Sequence, residues 1–123
     1  MCLLAIAFNH HPDTSLAVCS NRDEFYQRPT LPMHWWQDMP VLAGRDEQQG
    51  GTWMGLSRNG RFAAVTNFRD FSKPGFHEAR PKSRGNLVTD FNDYNKTVDV
   101  NEYKTTKLFA KLDMKKEDDK LYY

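Results

Sequence analysis

A cysteine stands immediately after the initiator methionine, and a charged cluster follows about twenty residues later. Cys2 opens an uncharged run, Cys2 to Phe8, and a second apolar run, Leu16 to Cys19, leads into Asn21-Arg22-Asp23-Glu24. Removal of Met1 is favoured when the second residue is small, and it would leave an α-amine and a thiol on one residue. Because an α-amine titrates near about 8, a useful fraction is neutral at neutral pH and can take the thiol proton, so that one residue is nucleophile and base together. A guanidinium at Arg22 would favour the thiolate, and Asp23 could accept a hydrogen bond from the α-ammonium and fix its direction. The plainer reading of the same residues is a core cysteine in an apolar strand and a solvated or locally ion-paired turn.

The two apolar runs must form a hairpin for this chemistry to assemble. Between them His10-His11-Pro12-Asp13-Thr14-Ser15 has the composition of a turn. Antiparallel pairing about it sets the start of the first strand beside the end of the second, so Cys2 faces Asn21 or Arg22. The first strand is apolar on both sides, as a central strand covered on both faces would be.

Downstream, Tyr26 to Pro40 holds three prolines and the adjacent Trp35 and Trp36, which predicts an irregular segment whose aromatic pair either lines a pocket or anchors the loop. Val41 to Gly44 is a short strand candidate. Gly50-Gly51 gives a backbone without Cβ just before Trp53, suited either to close approach of a substrate or to a bend, and Gly51, Trp53 and Asn21 are the candidate substrate-binding residues. Asn59-Gly60 between two strand-like runs, Trp53 to Ser57 and Arg61 to Asn67, is a strong hairpin signal. Asn67 closes the second run, where its amide either presents an NH₂ to a developing oxyanion or ends the strand.

Arg69 to Arg84, rich in Arg, Lys and Pro, reads as a basic loop. After Gly85 the pattern turns helical: Leu87, Val88 and Phe91 share a face, and Asp99 with Glu102 reads as a capping box opening a second helix that buries Tyr103, Leu108, Phe109 and Leu112. The organisation expected is one domain over residues 1–123, strand-rich over 1–67, a basic loop over 68–85, helical over 86–112 and a charged tail over 113–123.

Five blocks in order carry a family resemblance: Met1-Cys2 with its apolar strand; Asn21 to Tyr26 with Arg28-Pro29; Gly50-Gly51-Thr52-Trp53-Met54-Gly55; Thr66-Asn67-Phe68-Arg69-Asp70; and Ser83 to Val88. Together they resemble the NRDE family, also called the transport and Golgi organisation protein 2 family, over about residues 1 to 95. That family is similar to N-terminal nucleophile hydrolases of the choloylglycine hydrolase and penicillin V acylase type. The resemblance implies an α+β fold, a four-layer αββα sandwich with antiparallel sheets, in which Asn67 matches a strand-end Asn of the oxyanion hole. It also implies about twice this length, so the chain is expected to be a fragment, a short paralogue completing its sheets by self-association, or a form without activity.

Size and charge narrow the classes further. At 123 residues, 39% hydrophobic with eight Phe, five Tyr and three Trp, the chain can build a core. A net charge of +1 supplies no field for nucleic acid. The first apolar run is too short to span a bilayer and has no basic segment before it, so a cytoplasmic protein without a membrane span is expected. Neither a zinc site nor a disulfide between Cys2 and Cys19 is expected.

Two functions follow. The first is an amidohydrolase in which Cys2 attacks a carbon-nitrogen amide, helped by Arg22, Asp23 and Asn67, with no cofactor required. The second rests on the resemblance, whose family is linked to haem trafficking and acyl-CoA metabolism. It is a carrier of an apolar ligand such as haem or acyl-CoA, with Cys2, His10 or His11 as candidate haem ligands.

Overall fold

In the computed structural model of this chain, the described residues are 2–66, 82–93, 96, 98 and the backbone of 109–113. They form β1 (Leu4–His11), β2 (Thr14–Ser20), β3 (Thr30–Trp35), β4 (Val41–Asp46), β5 (Met54–Ser57), β6 (Arg61–Val65), α1 (Arg84–Asn92) and β7 (Phe109–Asp113). All strand pairs are antiparallel, β1-β2 as a two-stranded sheet and β3-β4-β5-β6-β7 as a five-stranded one. The fold is α+β.

Alternation decides how the layers stack. Leu4, Ile6 and Phe8 of β1, with Leu16 and Val18 of β2, turn to one side and pack on Phe62 and Ala64 of β6 and on Met54 and Leu56 of β5. The intervening Ala5, Ala7, Ala17 and Cys19 are exposed. Among the described residues the first strand is therefore covered on one face only, and the small apolar side chains of its other face stand exposed, as half of a sandwich would leave them.

On its opposite face the large sheet carries α1. Leu87 and Val88 are buried there, and Asn92 donates from Nδ2 to the Gly55 carbonyl at 3.3 Å and to its own helix at Val88 O, 3.0 Å. A Cβ on Gly55 would stand 3.0 Å from Val41 Cγ2 and 3.3 Å from Asn92 Nδ2, so the glycine leaves room for the Asn92 amide beside β4. β6 lies between hairpin and helix, which explains why Phe62, Ala63 and Ala64 are all buried. Helix, five-stranded sheet and hairpin thus stack as α, β and β, in the order of the expected sandwich.

Two elements differ from expectation. Residues 30–35 form a strand where an irregular segment was expected: β3 lies at the edge of its sheet, where Pro32 need not donate to a neighbour, and the register with β4 shifts between Leu31 and His34. Trp36 anchors the end of this segment, buried and donating from Nε1 to the Ala43 carbonyl at 3.1 Å. Residues 109–113 form β7 where helix was expected, with Val65 opposite Phe109 and Arg61 opposite Asp113. The ladder edge of β6 needs a partner, and that long-range demand outweighs the helical spacing of Phe109 and Leu112. Asp99, Glu102, Tyr103 and Leu108 lie outside the described residues, as do Asn67 and most of the basic loop.

Candidate functional site

The end of the first hairpin builds one side of the site. Leu4 pairs with Ser20, and the pairing continues one step further, with Asn21 N donating to Leu3 O at 3.3 Å and Leu3 N donating to Asn21 Oδ1 at 2.6 Å. The next position brings Cys2 opposite Arg22. Directly opposed residues hold their Cβ atoms about 4.5–5.5 Å apart, so the strand register delivers the thiol to the charged cluster.

Cys2, Asn21 and Arg22 line a cleft of about 240 Å³, and Trp53, Thr66 and Gly85 are among the residues on its other walls. Four of the candidate site residues therefore meet there: Cys2, Asn21, Arg22 and Trp53. Asp23 is half-buried next to them in sequence but is not part of the cleft wall. Asn67 lies outside the described residues, while Thr66 before it reaches the cleft. Gly51 serves packing: a Cβ there would stand 2.7 Å from the carbonyl carbon of Gly85, so the glycine allows the start of α1 to press against the turn before β5. Trp35 and Trp36 lie away from this cleft.

The helix start is built locally. Ser83 caps α1, accepting from Asn86 N at 3.3 Å, while Asn86 Oδ1 accepts from Ser83 N at 3.1 Å, a reciprocal capping box that also satisfies an amide before the helix. Because Ser83, Arg84 and Gly85 line the cleft, the positive end of the helix dipole borders it.

A residue that the sequence reading passed over stands at the centre of the charged wall. Asp46, at the end of β4, is 7% exposed. Its Oδ2 accepts from Arg22 Nη2 at 3.0 Å and from Arg28 Nη2 at 2.6 Å, and its Oδ1 accepts from the amides of Gln48 and Gln49 at 3.0 and 3.3 Å. Burial alone would push this carboxyl up, but the hydrogen bonds from Arg28 and the two amides, with the Arg28 charge, hold it below the usual carboxylate range. Arg28 also donates to Glu24 Oε2 at 2.9 Å and is itself raised, chiefly by its hydrogen bond to Asp46. Arg22 is held on two further sides: Nη1 donates to Thr30 Oγ1 at 2.5 Å, and the guanidinium carbon lies 4.4 Å from the centre of the Trp53 ring. In the sequence Asp46 looks like the first residue of a polar loop, and only the pairing of β3 with β4 brings it to Arg22.

Both cysteines are free, Cys2 half-buried and Cys19 exposed. Among the described residues no group of three or more His, Cys, Asp or Glu side chains is arranged to hold a metal ion. Cys2 and His10 lie at opposite ends of the first strand, eight residues or about 27 Å apart, too far to ligate one haem iron together. No helix among the described residues is long and apolar enough to cross a membrane.

Comparison with known proteins places the chain in a family. The family model described as Transport and Golgi organisation 2 matches residues 1–120. The human Transport and Golgi organization protein 2 homolog is 36% identical over 99 residues, covering 74% of this chain and 34% of the human protein. The mouse homologue is 34% identical over the same length, and an uncharacterised protein of Saccharomyces cerevisiae is 33% identical over 94 residues, covering 71% of this chain and 29% of its own length. The chain thus spans about a third of the length of the curated relatives it matches.

Proposed function

This chain belongs to the Transport and Golgi organisation 2 family, and from that premise we propose that its cleft is an acyl-transfer site in which Cys2 hydrolyses a carbon-nitrogen amide. The observation that carries the reading is the register of the first hairpin, which sets Cys2 opposite Arg22 at a cleft wide enough for a small amide. With Met1 removed, the α-amine of Cys2 takes the thiol proton and the thiolate attacks the amide carbon. The carbon-nitrogen bond then breaks, the proton passes to the departing amine, and water attacks the resulting thioester to release the acid and restore the thiol. Asn67, by resemblance, donates to the tetrahedral oxyanion, and Asn21 and Trp53 border the space left for substrate.

Two measurements test this. Intact mass reports whether Met1 is removed, and its retention would end the enzyme reading. Alkylation by iodoacetamide then ranks the thiols. By exposure alone Cys19 should react first, so preferential labelling of the half-buried Cys2 is the expected sign of an activated thiol, and faster labelling of Cys19 counts against it.

A carrier of an apolar ligand is the second reading. It is favoured by a cleft of about 180 Å³ between the hairpin and the large sheet, lined by side chains that include Leu16, Val18, Met33, Leu42, Met54 and Phe62. Ligand binding with an unreactive Cys2 is its expected signature.

A further inference from the structure

The charged wall of the cleft contains more than Arg22. We propose that Asp46 is a positioning residue for Cys2, acting through Arg22: it holds the guanidinium in the wall opposite the thiol. This rests on the reading of Cys2 as nucleophile. Unrestrained, an arginine side chain at a strand end samples many rotamers, and its charge is spread over the solvent around it. Here the guanidinium has a carboxylate at 3.0 Å on Nη2, a hydroxyl at 2.5 Å on Nη1 and an indole face at 4.4 Å. The anchor is itself fixed, because both oxygens of Asp46 are occupied and the amides of Gln48 and Gln49 lock its direction. Asp46 also neutralises Arg28, the second guanidinium on the same oxygen. Without that shared carboxylate Arg28 still has Glu24 at 2.9 Å, whereas Arg22 is left with a hydroxyl and an indole face and moves out to water.

The sign of the effect separates this from simpler roles. A carboxylate acting directly on the thiol disfavours the thiolate, so neutralising it would make Cys2 react at lower pH. A carboxylate acting through Arg22 does the opposite: without it the guanidinium leaves, and the thiolate loses its support.

The experiment is the rate of Cys2 alkylation by iodoacetamide as a function of pH, read by peptide mass in the wild type, Asp46→Asn, Arg22→Gln and the double variant. Asp46→Asn and Arg22→Gln should each move the midpoint upward by about one unit, with a roughly tenfold slower reaction below it, and the double variant should move it no further than Arg22→Gln alone. A midpoint unchanged or lowered by Asp46→Asn while Arg22→Gln raises it overturns the role of Asp46 and leaves the nucleophile reading standing, as does strict additivity of the two shifts. No movement with Arg22→Gln removes the nucleophile reading's use of Arg22, and the proposal falls with it. Should Asp46→Asn fail to fold, Thr30→Val removes the other polar anchor of Arg22 and must shift the midpoint in the same direction by less. A null shift there overturns the proposal.

Discussion

On the single carboxylate of Asp46 converge two guanidiniums and two backbone amides, so the ionisation of one side chain is linked to the stability of the fold. The carboxyl titrates lower in the folded chain than in the unfolded one, and its contribution is therefore present above the unfolded value of about 3.9 and lost as pH falls through the lower folded value. Unfolding by urea should show stability dropping as pH goes from about 5 to about 2, and Asp46→Asn should be less stable at pH 7 but flatter across that window. A variant that keeps the full wild-type slope would mean that other carboxylates carry the acid sensitivity. Asp38, which Arg45 holds low through a pair of hydrogen bonds, is exposed and contributes little by comparison.

Among the elements, α1 owes its place to two glycines and a cap as much as to its apolar residues. Gly51 and Gly85 meet backbone to backbone, a Cβ on Gly85 falling 3.0 Å from Thr52 N, and Ser83 closes the helix start. Gly51→Ala should cost about 1–3 kcal/mol by forcing the helix off the turn before β5, and Ser83→Ala about 1 kcal/mol through the lost cap. Thermal melts check both, and Cys2 alkylation should change with Gly51→Ala because the start of α1 borders the same cleft. The elements legible in the sequence are those marked by local chemistry. Asn59-Gly60 turns β5 into β6 with Gly60 at φ +83°, Pro12-Asp13 lies in the first turn, and the apolar residues after Gly85 make a helix. β3 is not legible, because Pro32 reads as a breaker unless the strand is known to be at an edge. β7 is not legible either, because its reason to be a strand is the open side of β6, more than forty positions earlier. In the site, Cys2 and Arg22 are legible through hairpin register, while Asp46 depends on the pairing of two later strands.

At the scale of the whole molecule, the question is what the hairpin layer does with its outer surfaces. Among the described residues β1 and β2 pair only with each other, so each presents one unpaired ladder edge, and the outward face carries Ala5, Ala7 and Ala17. Near the same layer Leu3 is 65% exposed, and Phe25 and Tyr26 follow the hairpin with 72% and 104% exposure. Unpaired edges beside exposed apolar side chains are templates for strand addition, and contiguous apolar patches beyond several hundred Å² are rare on monomers. A protein of this sequence is therefore expected to self-associate through the hairpin layer. Light scattering at low concentration should give a mass above that of a single chain. Ala5→Lys combined with Ala7→Lys should lower it towards one chain while leaving the far-ultraviolet spectrum unchanged, because both positions face outward and a lysine there blocks docking without entering the core. A monomeric wild type with one cooperative melt would overturn this expectation and the reading of the chain as an incomplete sandwich.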